Sequence, residues 1–469
     1  MTDFVSQASL TEGLKLPPDM LGHDHLSAAV LDKVIHFPPG AVFALQGPWG
    51  RGKTDLLARI ALRTIDEDDE YRPSGIARRA FWINPWQYGT PDLLTPLVLA
   101  MLSEVAPETK KSRRDALWTA AESIIRAGFS FGLKAMAAVI PGADVLKVDV
   151  DAMLKGVFER IKPKDGSAAP RSSDPDPVAV MGARFRQLVD ELVSGEEREA
   201  GGRLLVCIDD LDRCLPHRQV ALLEAIRFLT SAGAPVTFLV ALDPTLARQA
   251  VLTHYRSDYF DPERYLDKMF HLRINLPALA PEDLTRLVRG HMVRPMLNRQ
   301  RTGEQPLRRC LVELLGDRVD QLETFAARAL AGPDLRNPRV VKRIFDRLYL
   351  LSSAVSEPLP INDDDETYSL LLWLGIIERW PELRAVLQDA GEAHDFERRF
   401  EKIHRKYLLN LERSDAEDAI LDRLPSPQQS PELRMVFSKL CADPDACDLI
   451  HAKGSFFFRL DRLLIAAGL

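Results

Sequence analysis

Residues Gly47, Pro48, Trp49, Gly50, Arg51, Gly52, Lys53 and Thr54 run in the pattern G-x-x-x-x-G-K-T, and each residue type there suits the binding of a triphosphate. Glycines let backbone N–H groups turn inward around phosphate oxygens, in conformations that a side chain obstructs. A helix starting near Lys53 would aim its positive end at the same anions. Lys53 is expected to reach the β- and γ-phosphates, the Thr54 hydroxyl to ligate magnesium, and Asp55 to be grouped with the loop as a binding residue. A second group of residues completes the chemistry: Leu204 to Ile208 is apolar and ends in two carboxylates, Asp209 and Asp210. Asp209 suits a magnesium-linked role at a strand end, and Asp210 is placed to orient or deprotonate an attacking water. Aspartate is one methylene shorter than the glutamate often found in that role, so hydrolysis is expected to be slow or to depend on a partner. Asp212 and Arg213 follow; the arginine either contacts a phosphate or pairs with Asp212 to fix the loop.

Positioning these groups requires a strand before the phosphate loop and a helix after it, and the chain provides both. Pro38 to Leu45 is a short apolar run, and Leu56, Leu57, Ile60, Ala61 and Leu62 recur at helical spacing between Thr54 and Ile65. Further buried strands are read at Arg79 to Asn84, Leu204 to Ile208 and Val236 to Leu242, with a candidate fifth at His271 to Leu276. A helix from about His217 to Thr230 separates the third and fourth. Strands alternating with helices predict a parallel sheet covered on both faces. The spacing breaks between Asn84 and Leu204, where residues 90–178 read as a helical and partly disordered insertion. Its Asp165 to Pro177 stretch has the composition of a flexible loop.

After Pro277 the pattern turns helical throughout. The expected division is therefore a lead-in at 1–35, a nucleotide-binding core at 36–276, a helical lid at 277–355 and a helical C-terminal domain at 356–469. Phe396, Phe400, Ile403 and Tyr407 form a stripe at helical spacing in that last region.

At 469 residues, 46% hydrophobic and 28% charged, the chain has the composition of a globular protein of two or three domains. A net charge of −7 supplies no whole-chain attraction to nucleic acid, and no basic stripe interleaved with aromatics is present. The five cysteines are scattered without zinc-ligand spacing. With no secretory signal in MTDFVSQASLTEGLK, a cytoplasmic setting is expected. Ala127 to Ile140 is the most apolar part of the insertion, but it is shorter than the roughly 18 apolar residues of a membrane span and contains Lys134. It reads as a helical hairpin or partner-binding element, with membrane-surface contact as the lesser alternative.

Several segments together resemble the KAP family of P-loop NTPases, an AAA-like group with an additional strand. They are GPWGRGKT, FWINPWQY at 81–88, CIDDLDRC at 207–214, FLVALDP at 238–244, RYLDKMFHLRINLP at 264–277 and NPRVVKRIFDRL at 337–348, with DMLGHDHLSAAVLDKVI at 19–35 upstream. The resemblance implies an additional-strand nucleotide domain followed by a helical lid. It implies that Asp243 senses the γ-phosphate and that a lid arginine, Arg339 or Arg343, approaches the nucleotide. Trp49 and Trp86 would pack on each other near the nucleotide or enter the core. Family members are often tied to membranes by helices inserted between the two nucleotide motifs, and bacterial members commonly act in defence against phage.

The function expected is magnesium-dependent ATP hydrolysis that switches assembly or a partner's activity, through self-association or a protein partner docking on the insertion and C-terminal helices. The alternatives are a nucleotide-gated scaffold with little hydrolysis, or a peripheral membrane-associated NTPase. A kinase or GTPase is disfavoured, because no N-K-x-D segment is present and the paired carboxylates favour attack by water.

Overall fold

The computed structural model describes residues 9–10, 18–66, 76–87, 95–103, 177–193, 201–230, 233–255, 260–298, 315–330, 335–354, 363–381 and 454–466, with isolated positions between them. These fall into two compact units: residues 1–19 with 23–277, and residues 20–22 with 278–469.

The first unit is built on a six-stranded sheet. Its strands are β1 (Ser9–Leu10), β2 (Val42–Gln46), β3 (Ile76–Ile83), β4 (Arg203–Ile208), β5 (Val236–Leu242) and β6 (Leu272–Asn275), in the order β1-β3-β4-β5-β2-β6. Five strands are parallel, and β1 pairs antiparallel with β3 at the edge. Every residue of β2, β4 and β5 is buried. Strands covered on both faces have no solvent side to fill with polar residues, which is why these segments read as unbroken apolar runs. The pleat still divides them by alternation. In β4, Leu204, Val206 and Ile208 join one apolar cluster, while Leu205 and Cys207 join the other.

Helices α1 (Asp24–His36) and α2 (Lys53–Ile65) cover one face. The other is covered by α3 (Thr95–Ser103), α4 (Pro177–Leu192), α5 (Pro216–Thr230) and α6 (Pro244–Tyr255), with α7 (Pro262–Met269) beside them. The placement of β5 between β4 and β2 is decisive for the site. The strand after the acidic pair, β5, is intercalated, so the C-terminal ends of β2, β5 and β4 lie side by side. Ligands of open parallel sheets bind at such carboxyl ends.

Two buried arginines fasten α1 to the sheet and to α2. Arg59 on α2 is 1% exposed and donates to Asp55, Asp24 and the carbonyl of Pro18. Burial opposes its charge, but the facing carboxylates of Asp55, Asp19 and Asp24 outweigh that and hold it protonated. Arg203, at the start of β4, donates to the carbonyls of Val34 (2.9 Å), Phe37 (2.6 Å) and Ile35 (3.3 Å). It thereby satisfies acceptors that the end of α1 leaves without helical partners.

The second unit is all-helical among its described residues: α8 (Pro281–Asn298), α9 (Leu322–Ala329), α10 (Pro338–Ala354), α11 (Asp364–Arg379) and α12 (Gly454–Ala466). One apolar cluster runs through all five and is centred on α11, where Leu370 to Leu374 are all buried. Residues on both sides of the boundary expected at 355/356 share that cluster. Met20 and Leu21 pack against it as well.

The fold is the parallel α/β sheet expected, with two departures. The antiparallel β1 carried no sequence signal. In addition, part of the 90–178 insertion belongs to the sheet's own covering, since Leu97, Val98, Met101, Leu117, Ala121, Ile124 and Ile125 are buried in the same cluster as β3 and β4. Ala127 to Ile140, the 165–176 stretch and the 396–407 stripe lie outside the described residues. Among the described residues, no helix is long and apolar enough to cross a membrane.

Candidate functional site

The loop from Gly47 to Gly52 leaves β2 at Gln46 and enters α2 at Lys53. Gly50 and Gly52 have φ of 82° and 94°. These left-handed conformations are ones that a Cβ would strain, so the two glycines are what allows the turn. The Gly47 N–H donates to Leu242 at the end of β5 (3.3 Å), and the Arg51 N–H closes the turn onto the Pro48 carbonyl (3.3 Å). Lys53 is 8% exposed. Its ammonium donates back into the loop, to the carbonyls of Gly47 (2.8 Å) and Pro48 (3.4 Å), and lies 3.4 Å from Asp212 Oδ2. The loop is therefore wrapped on its own lysine, with a buried carboxylate as the nearest anion.

Asp209 lies at the end of β4, 3% exposed, with its N–H donating to the Ile83 carbonyl at 2.9 Å. The Thr54 hydroxyl, at the start of α2, lies close enough to favour the ionised form of the Asp209 carboxylate. Burial and the adjacent Asp210 push the Asp209 carboxyl up to about 6, against the opposing hydrogen bonds from Thr54 and the Asp210 backbone. A buried carboxylate under that strain, beside a hydroxyl, is a set of hard oxygen donors suited to a small divalent cation.

Asp210 adopts φ 55°, ψ 27°, and is the one non-glycine residue with positive φ among those described. Aspartate tolerates this region better than most side chains. Both of its oxygens are engaged: Oδ1 by Arg213 Nε at 2.8 Å and Oδ2 by Asn84 Nδ2 at 2.8 Å. Arg213 thus pairs with Asp210 and not with Asp212, one of the two partners that the sequence had suggested. Asn84, itself 2% exposed, is a site residue that the sequence reading did not single out. Its signal was a polar residue closing the apolar run of β3.

Trp49 and Trp86 do not enter the core. They are 48% and 57% exposed, and the Arg213 guanidinium lies over both rings, 5.9 Å and 5.5 Å from their centres. The Trp49 indole N–H also donates to Asp212 Oδ2 at 2.8 Å.

The remaining candidates are more dispersed. Asp55 is taken up by Arg59 (3.0 Å) and His23 (2.9 Å) at the joint between α1 and α2. Asp243 stands at the end of β5 and caps α6, accepting from the N–H groups of Thr245 (2.9 Å) and Leu246 (3.4 Å). Arg339 and Arg343 lie on α10 in the second unit. The Arg343 guanidinium is held by the buried carboxylate of Glu378 at 2.6 Å, which Arg347 also engages.

What the geometry brings together is a glycine loop, a lysine, a hydroxyl and two acidic side chains at the carboxyl edge of a parallel sheet with an intercalated strand. No curated protein matches the chain significantly. The model of the KAP family P-loop domain matches residues 24–355, a span that covers more than half of the chain and contains every group just described. The chain belongs to the KAP family of nucleotide-binding P-loop NTPases.

Proposed function

We propose that this protein is a magnesium-dependent ATP hydrolase in which nucleotide state switches self-assembly or the activity of a protein partner. The observation that carries the reading is the convergence, at the carboxyl edge of the sheet, of the phosphate loop with its buried Lys53 and of the buried Asp209 that ends β4. In this reading the loop N–H groups and Lys53 hold the β- and γ-phosphates, and Thr54 and Asp209 hold the cation. Bound magnesium would neutralise phosphate charge and offset the repulsion between Asp209 and Asp210. Asp210 would accept a proton from the attacking water, which requires it to exchange at least one of its present partners for that water. Asp243, at the adjacent strand end, would sense the γ-phosphate, and Arg339 or Arg343 would approach the nucleotide, with Arg343 first leaving Glu378. The setting implied by the family, bacterial defence against phage, suits an enzyme whose base is held until a trigger arrives.

A second reading, a nucleotide-gated scaffold with little turnover, is favoured by one observation: both oxygens of Asp210 are engaged. Steady-state release of phosphate from magnesium-ATP, measured across protein concentrations with mass measured in parallel, separates the two. Hydrolysis is expected in wild type, retained ATP without cleavage in Asp210→Asn, and loss of binding in Lys53→Ala. Equal turnover in wild type and Asp210→Asn would remove Asp210 from the chemistry. Binding without any phosphate release, at every concentration and with partners added, would select the scaffold.

A further inference from the structure

Four contacts form one connected path from the phosphate loop to Asp210. The Lys53 ammonium lies 3.4 Å from Asp212 Oδ2, and the same oxygen accepts the Trp49 indole N–H at 2.8 Å. The Trp49 ring faces the Arg213 guanidinium, whose other neighbour is the ring of Trp86. The Arg213 Nε then donates to Asp210 Oδ1 at 2.8 Å, while Asn84 holds Oδ2. Asp212 is 3% exposed at its side chain, so its partners are fixed, whereas the Arg213 side chain is 36% exposed and has room to leave.

We propose that Arg213, gripped between Trp49 and Trp86, is a positioning residue that latches Asp210 in the resting site, and that the triphosphate itself opens the latch. A triphosphate presents a denser negative charge to Lys53 than Asp212 does, so the ammonium transfers to it. Asp212 then loses its cation, and the loop that carries Trp49 rearranges around the phosphates. Trp49 is the one member of the grip that lies on that loop, so its movement weakens the hold on Arg213 and frees Asp210 Oδ1 for water. Both rings are about half exposed and present faces that the guanidinium partly covers. A guanidinium between two faces is a recognised attraction, stronger for arginine than for lysine at stacked positions.

The inference rests on the hydrolase reading for its turnover arm, and a binding arm separates the two. In the binding arm, tryptophan emission is followed while the non-hydrolysable analogue AMP-PNP with magnesium is added. The expected result is a change in wild type that is reduced in Trp86→Phe and in Arg213→Gln, with the analogue's Kd lowered about fivefold in Arg213→Gln, because the triphosphate no longer has to open the latch. An unchanged wild-type spectrum at saturating analogue, or a full response in Trp86→Phe, would overturn the latch whether or not the protein hydrolyses ATP. In the turnover arm, Arg213→Gln and Trp86→Ala should each raise kcat/KM about fivefold, the scale of releasing one half-exposed ion pair, mostly through a lower KM, because the bound triphosphate no longer has to open the latch. A fall in kcat with KM unchanged in either variant would make Arg213 an aid to the reaction and refute the latch. If wild type and both variants release no phosphate while the emission change behaves as expected, the hydrolase reading fails and the latch stands.

Discussion

Replacing Asp209 by Asn should make the nucleotide-free protein more stable while removing its response to magnesium. The Asp209 carboxyl is raised from 3.8 to about 6 by burial and by the neighbouring Asp210. A carboxylate ionised in both the folded and unfolded chain at pH 7.5 therefore opposes folding by the difference between those values. At about 1.4 kcal/mol per pH unit that is about 3 kcal/mol. Asn keeps the shape and an acceptor for the Thr54 hydroxyl, but its own NH2 must be buried, which recovers part of the difference. A net gain of about 1–3 kcal/mol is expected. The sign follows from a folded value above the unfolded one. Wild type gains stability as pH falls from about 6 towards 3.8, because the folded chain takes up the proton first. The advantage of Asp209→Asn should therefore be complete above pH 6 and vanish by about pH 4. Urea unfolding of both proteins at pH 7.5, 6 and 4.5, without nucleotide and with EDTA, reads this directly. Magnesium-ATP should then reverse the order at pH 7.5 by stabilising wild type alone. A variant no more stable than wild type at pH 7.5, or an advantage independent of pH, would refute the assignment of Asp209 as the strained carboxylate of the site.

Other expectations follow from single contacts. Arg203→Ala takes the guanidinium donor from the carbonyls of Ile35 and Phe37, while Val34 keeps the Phe37 N–H, and should destabilise the first unit by about 2–4 kcal/mol in urea unfolding; Arg203→Met should recover less than half, because it restores no donor to those carbonyls. Burial pushes the Cys214 thiol up to about 11, so at pH 8 its alkylation by iodoacetamide, followed by peptide mass mapping, should run about 100-fold slower than that of an exposed cysteine. Gly52→Ala places a side chain at φ 94° and should lower stability by about 1–2 kcal/mol while weakening nucleotide binding, as measured by calorimetry.

The sequence revealed the site to the extent that the chemistry was local. The phosphate loop, the strands on either side of it and the acidic pair were visible because residue type and apolar pattern fix them within a few positions. The sheet's centre was equally legible, since burial on both faces leaves an apolar run with no competing period. What escaped was long-range or set by backbone conformation. Asn84 meets Asp210 across 126 positions, and no spacing rule connects them. Arg213 was expected either on a phosphate or beside Asp212; of the two carboxylates, the left-handed turn at Asp210 gives the guanidinium Asp210. Asp55, grouped with the loop by adjacency, answers instead to His23 and Arg59, because a helix residue is paired by its face and not by its neighbours. The two-residue β1 is too short to carry a period and is defined by its pairing with Phe81 and Ala80.

The chain visits the second unit twice, first for Met20 to Gly22 and then for good at Ala278. No single cut can therefore divide this protein into its two parts. A fragment beginning at 278 would lack the Met20 and Leu21 side chains that its core expects, and a fragment ending at 277 would carry them exposed, with nothing of their own to bury against. During synthesis those two side chains are made first and must wait until the helices that receive them have followed, hundreds of residues later. The second unit is thus finished only when the whole chain is present, and a dissection meant to isolate the nucleotide site would have to replace three residues near its beginning as well as remove its end.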